Sequence, residues 1–392
     1  MSEALLKRAE KVIMPTYSRF NIAFESGNGC VLKDTNGKEY LDFVAGIAVD
    51  CLGHNHPGLN KAIADQCQKI MHVSNLYYTE PQIETAEVLV KASGLDKVFF
   101  CNSGAEANEA AMKLARIYAK HFKSKDAVEI IAMDHSFHGR TYGAISATGQ
   151  PKYQKDLEPL LPGIKHIPFN NLEALKETIS DKTCAILLEP IQGEGGIYPA
   201  DYDYLQAVRK ICADEKIVLI FDEVQSGIGR SGKFFAYQHY NLKPDIVCMA
   251  KGIAGGFPMG GIIACDEVAQ VFVPGTHAST FGGNPLATAA SHYVLNTISD
   301  PKFLATVAEK GDYLMAKLNA LKADHPNLID VRGKGLMVGA ALSTPTGEVV
   351  AKAMDKGLLL VGAGNDAVRF VPPLIVTKDE INKAVEIFAE CL

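Results

Sequence analysis

The chain has 392 residues, 47% of them hydrophobic and 21% charged, with a net charge of -6. Such a length buries a large core and suits two or so domains of roughly 100 to 200 residues each. The acidic balance gives no basic field for phosphate backbones or anionic lipid, so neither nucleic acid nor membrane is an expected partner.

Residues 1–11 are amphipathic and charged, without the apolar core of a signal peptide, and no apolar run approaches a spanning helix, so a cytoplasmic location is expected. Nine cysteines, with no C-x-x-C pair and mostly inside apolar segments, read as buried thiols of a reducing compartment. Residues 31–43 read as a hairpin turning at Asn36-Gly37. From Lys97 to Cys265, short apolar runs at 97–101, 129–133, 185–188, 218–224, 245–249 and 261–265 alternate with helical stretches. That alternation predicts an α/β fold, a mostly parallel central sheet covered by helices. A helix over 304–321, a β stretch over 328–342 broken by Gly333 and Gly335, strands over 358–361 and 367–371, and a last helix from Lys378 predict a smaller α+β lobe. The expected division is an N-terminal segment, 1–45, packing with the small lobe, a large cofactor-binding domain, 46–286, and a C-terminal small domain, 287–392.

Two strand ends carry the chemistry. Val218 to Val224 delivers Asp222, and Asp245 to Lys251 delivers Lys251, at the sheet edge where α/β proteins place ligands. An acid and an amine there, with Gly252, Gly255, Gly256, Gly260 and Gly261 letting backbone crowd in, match the needs of pyridoxal phosphate. Lys251 would join the cofactor aldehyde as a Schiff base, and Asp222 would pair with the protonated ring nitrogen. For the phosphate, residues 102–106 (NSGAE) follow a strand and open a helix whose N-terminus favours an anion, although Ser103 with Glu106 also fits a capping box.

Other readings of these segments fail on order or spacing. Gly227 to Lys233 reads G-x-x-x-x-G-K, but Phe234 stands where Ser or Thr must bind magnesium, and the loop follows the acidic strand. Gly227, Gly229 and Gly232 spell G-x-G-x-x-G without leaving a strand directly or opening a capped helix. His54 and His56 have a metal-pair spacing but precede Pro57-Gly58 and have no evident third ligand, so a turn is the reading and no metal site is expected. Glu189 and Glu194 could be paired glycosidase carboxylates, yet their Gly-rich loop suits a cofactor site equally. In 135–141 (HSFHGRT), Phe137 can stack on a flat ring and Arg140 can fork onto a carboxylate.

Together these segments resemble the class III (ornithine-type) aminotransferases, of the fold-type I pyridoxal phosphate family. The likeness rests on 52–57 (LGHNHP), 100–109 (FCNSGAEANE), 137–140 (FHGR), 189–196 (EPIQGEGG), 221–225 (FDEVQ), Lys251-Gly252, 279–285 (STFGGNP) and 369–373 (RFVPP). The resemblance implies Lys251 and Asp222 as catalytic residues and Gln225 near the ring hydroxyl. It implies Val224 and Phe137 on the ring faces, and Ser103, Gly104 and Ala105 at the phosphate. Thr280 would join the phosphate from the neighbouring subunit of a homodimer with shared sites, and Ser279 would lie beside it at the substrate. The two small-molecule substrates would be an amino donor and 2-oxoglutarate. By this resemblance, Arg140 takes the remote carboxylate of either substrate and Arg369 takes the α-carboxylate of glutamate, with Glu194 masking Arg369 for the other donor. Ile47 stands where ornithine-specific members carry tyrosine, and the compact length with 74–78 (SNLYY) resembles the acetylornithine branch, in arginine biosynthesis. Succinylornithine, succinyl-diaminopimelate, 4-aminobutyrate and ornithine donors stay open, as does an aminomutase.

Overall fold

The computed structural model describes residues 2–392. Its centre is a sheet of seven strands, Lys97–Cys101, Gly260–Ala264, Ile246–Met249, Val218–Asp222, Thr183–Leu188, Glu129–Met133 and Ile164–Ile167 in spatial order. Gly260–Ala264 runs antiparallel to both its neighbours, and the other pairings are parallel. The strands from 183 and 218 are buried along their whole length, which is why they read as unbroken apolar runs instead of alternating ones. The edge strand Ile164–Ile167 has no counterpart among the predicted runs, because Lys165 and His166 interrupt its apolar character.

The helix Gly104–Phe122 packs on this sheet through Leu114 and through Ala107, Ala110, Ala111 and Ala115, whose small side chains let the backbone approach closely. Its start departs from a full capping box. Ser103 Oγ accepts from the Glu106 N–H at 3.2 Å, but the Glu106 carboxylate accepts from the Asn102 N–H at 2.7 Å, one residue further out.

Past the helices Pro285–Ile298 and Pro301–Ala320, the chain forms an antiparallel sheet ordered Leu328–Lys334, Met337–Leu342, Ala367–Phe370, Val361–Ala363. Gly335, at φ 57°, makes the turn between its first two strands. The hairpin Val31–Asp34 and Glu39–Asp42 turns at Asn36-Gly37, and its second strand pairs in parallel with Leu358–Leu359. One expectation about buried groups needs correction. Cys67, the last residue of the helix Pro57–Cys67, is exposed, and Cys265 is only half-buried where it packs against the rim of the core. The histidine pair is held structurally: His54 Nε2 lies 2.8 Å from Asp42 Oδ2, and His56 Nδ1 caps the helix Pro57–Cys67 by accepting from the Leu59 N–H. Among the described residues, no helix is long and apolar enough to cross a membrane.

Candidate active site

The C-terminal ends of the parallel strands open into a cavity of about 400 Å³. Ser103, Gly104, Ala105, Phe137, Arg140, Glu194, Asp222, Val224, Gln225 and Lys251, all singled out from sequence, line it. Such convergence at the switch from strand to loop is where α/β sheets gather ligand groups.

Asp222 ends its strand with its carboxylate buried and fully engaged. Oδ2 accepts from Asn108 Nδ2 at 2.7 Å and His138 Nδ1 at 2.8 Å, and Oδ1 accepts from the Val224 N–H at 3.0 Å. Three donors therefore converge on one carboxylate, and both of its oxygens are satisfied by the protein. Sequence reasoning assigned no part to Asn108 or His138. Asn108 sits one turn into the helix Gly104–Phe122, and His138 sits between Phe137 and Arg140, so their positions in the motifs were the available signal.

Lys251 follows the neighbouring strand and adopts φ 47°, opening a short 3-10 turn over Lys251–Ala254. Left-handed backbone at a lysine is strained, and its neighbours must hold it there. Burial lowers its amine to about 8, with Glu194, Asp222 and Glu189 opposing that fall. At the far side, Gly104 leaves room that a Cβ would fill, 2.8 Å from Val224 Cγ1. The first turn of its helix therefore presents bare backbone N–H groups to the cavity.

Arg369 does not line the cavity. It is buried in the strand Ala367–Phe370 behind Glu194 and Gln225, and its Nη1 donates to Glu194 Oε1 at 2.6 Å and to Gln225 Oε1 at 2.9 Å. Burial alone would push the Glu194 carboxyl up, but Arg369 and Lys251 hold it below the usual range. Arg369 Nε is buried without a partner among the described residues, so the guanidinium has donor capacity that the ion pair leaves unused.

Arg140 is exposed, its guanidinium lying 3.9 Å from the centre of the Tyr153 ring and 5.5 Å from that of Phe137. This stacking limits the rotamers of an otherwise free side chain. Tyr153 escaped the sequence reading because it comes from a separate 3-10 turn, Pro151–Tyr153. Glu189 Oε2 accepts from the Phe137 N–H and Oε1 from the Gly193 N–H, joining the aromatic loop to the loop of Glu194. Burial pushes this carboxyl up to about 7, against the pull of His138.

Ser279 and Thr280 lie outside this cavity, in a cleft that includes Ser74, Asn75, Leu76 and Tyr78. Ser279 Oγ accepts from Asn102 Nδ2 at 3.2 Å, which keeps it beside the loop that opens the helix Gly104–Phe122, whereas Thr280 is exposed.

The chain matches the family Aminotransferase class-III over residues 12–392. It is 50% identical over 385 residues to the acetylornithine aminotransferase of Clostridium acetobutylicum, covering 98% of this chain and 100% of that one. Among solved structures, an ornithine aminotransferase from Toxoplasma gondii, with pyridoxal phosphate at partial occupancy in its active site, superposes with a TM-score of 0.94 at 29% identity, covering 100% and 94% of the two chains. The acetylornithine aminotransferase of Elizabethkingia anophelis superposes with a TM-score of 0.89 at 30% identity, covering 100% and 98%. With these likenesses spanning the whole cavity-bearing fold, the chain belongs to the class III aminotransferases.

Proposed function

We propose that this aminotransferase uses pyridoxal phosphate to transfer the amino group of N-acetylornithine to 2-oxoglutarate, giving N-acetylglutamate 5-semialdehyde and glutamate. The observation that carries the cofactor is the buried carboxylate of Asp222, held by three donors in the cavity that Lys251 also enters. Bound there, the cofactor would supply an aldehyde for the amine and a protonated ring that takes up carbanion charge.

The residues present fit that group. Asp222 would face the ring nitrogen, Val224 and Phe137 the ring, and Gln225 the ring hydroxyl. The space at Gly104 and the N–H groups of Ser103, Gly104 and Ala105 would receive the phosphate, completed by Thr280 of a second subunit in a homodimer. The Lys251 amine would hold the cofactor, then serve as general base, taking the proton from the substrate carbon and returning it on the cofactor side. With its amine lowered to about 8, a released Lys251 has roughly a tenth of its population neutral at pH 7, against about one part in three thousand for an ordinary lysine. That shift suits a base working near neutrality.

Arg140, stacked on Tyr153, would take the carboxylate remote from the reacting carbon in either substrate. The Glu194 and Arg369 pair supports dual-substrate use. A donor without a carboxylate at the reacting carbon would meet the closed pair, whereas glutamate would draw Arg369 away from Glu194. The assay that tests this couples 2-oxoglutarate to acetylornithine, succinylornithine, ornithine and 4-aminobutyrate in turn. Acetylornithine should give the highest kcat/KM, and turnover of any donor without 2-oxoglutarate would instead indicate an aminomutase.

A further inference from the structure

The loop that carries Glu194 has glycine at 193, 195 and 196, so on its own it would sample many conformations. It is instead laid over one row of the C-terminal sheet. Arg332 pairs with Gly339 and Gly339 with Arg369 across three neighbouring strands, which places these residues side by side on one face. Each member of the row meets the loop. Arg332 Nε donates to the Gly196 carbonyl at 2.8 Å, Arg369 donates to Glu194, and at Gly339 a Cβ would stand 2.9 Å from Ile197 Cβ. The turn after Val361–Ala363 adds a second grip, with the Gly364 N–H donating to the Glu194 carbonyl at 2.7 Å.

Arg332 is itself held on three sides. Its guanidinium lies 3.8 Å from the centre of the Tyr198 ring, and its other nitrogens reach Asp366 at 3.2 Å and Asp330 at 3.3 Å. The side chain is 12% exposed, so these contacts are only partly screened by water. Tyr198 lies just beyond the glycine loop, so the stack ties the end of the loop to the same sheet that carries Arg369.

The geometry points to Arg332 as a positioning residue for the Glu194 mask: by fixing the backbone of 194–196 against the strand row of Arg369, it makes the mask a side-chain rotation of Glu194 and not a movement of its loop. The fixed backbone reduces the ordering cost of closing the Glu194 and Arg369 pair. Loss of Arg332 therefore loosens the closed pair and leaves Arg369 more available to a second carboxylate. The inference rests on the proposed use of Arg369 as a carboxylate site.

Glutarate is the probe, an unreactive diacid with one carboxylate for Arg140 and one for Arg369, and its binding to the cofactor-loaded protein is read by calorimetry. Arg332→Ala should bind glutarate about three- to tenfold more tightly, while kcat/KM for acetylornithine falls by a similar factor. Damage to the fold in general would weaken both, so the opposite signs mark the mask. Tyr198→Ala should reproduce the pattern if Arg332→Ala folds poorly, and Tyr198→Phe, which keeps the ring face, should retain the parent affinity. Unchanged or weaker glutarate binding in both Arg332→Ala and Tyr198→Ala overturns the positioning role. Arg369→Ala separates the two levels: if it leaves glutarate affinity intact, the carboxylate role of Arg369 is wrong.

Discussion

His138 Nδ1 lies 2.8 Å from Asp222 Oδ2, and both side chains are buried. The contact makes the charge at the cavity floor a property of two chain segments 84 residues apart, not of the strand end alone.

Asp222→Asn should therefore preserve the fold and remove most of the activity, because a neutral amide does not favour a protonated ring nitrogen. Loss of a charged partner in a buried site is worth roughly 2 to 4 kcal/mol, so kcat should fall by a factor on the order of a hundred or more. Steady-state kinetics beside a thermal melt check this, and near-normal kcat would reduce Asp222 to a structural cap. His138→Phe should cost less, roughly 1 to 3 kcal/mol, since Asn108 and the Val224 N–H still serve the carboxylate.

Lys251→Ala should abolish turnover and the visible absorbance of the cofactor-bound protein, as no other amine lines the cavity among the described residues. The lowered pKa makes a second, independent test in the cofactor-free protein. A lysine whose folded pKa is depressed weighs against stability while protonated. That cost is in full force below about 8, fades as pH rises towards 10.5 and is gone above it. The stability difference between Lys251→Met and the parent, from denaturant midpoints, should thus be largest below pH 8 and shrink as pH approaches 10.5. A difference independent of pH across this window would mean that the amine titrates normally.

Much of this arrangement was legible because the buried strands of a parallel sheet are unbroken apolar runs, and a charged residue at the end of such a run stands out. Asp222 and Lys251 were visible on those grounds, as was the glycine-opened helix start after Cys101. The supports were not. Asn108, Tyr153 and Arg332 act through contacts whose sequence separation no local pattern reveals, such as the 136 residues between Arg332 and Gly196. Helix periodicity also cannot distinguish a packed Asn108 from one that serves Asp222. The strand Ile164–Ile167 was hidden for a simpler reason, as an edge position tolerates the polar Lys165 and His166.

Thr280→Ala tests the shared site. In its own chain Thr280 is exposed and lies in a cleft apart from the cavity, near the exposed Leu76 and Tyr78, and the proposal has it reach the phosphate of a second copy. The variant should stay dimeric but release cofactor more readily, with activity restored by excess pyridoxal phosphate. Sedimentation with and without added cofactor checks both halves, and a fully active monomer contradicts the shared site.

The two arginines separate division of labour from simple charge attraction. Arg369 is buried behind Glu194, whereas Arg140 is exposed and stacked on Tyr153, so only Arg369 must break a pair before it can bind a carboxylate. Arg369→Ala should cripple the half-reaction with glutamate or 2-oxoglutarate and largely spare that with acetylornithine, whose amine-bearing carbon has no carboxylate. Arg140→Ala should impair both, because each substrate places its remote carboxylate there. A desolvated charge pair at the buried Arg369 supports a loss of roughly 2 to 5 kcal/mol, so the half-reaction with glutamate should slow by a factor on the order of a hundred or more in Arg369→Ala, with a smaller loss from the exposed Arg140. Tyr153→Leu, which removes the stacking face and keeps Arg140, should raise KM for both substrates by a smaller factor, roughly three- to tenfold. Single-turnover absorbance changes with each amino donor separate the halves. Equal impairment of both halves by both arginine variants would remove the basis for Glu194 as a mask, since the ion pair it makes with Arg369 would then serve structure alone.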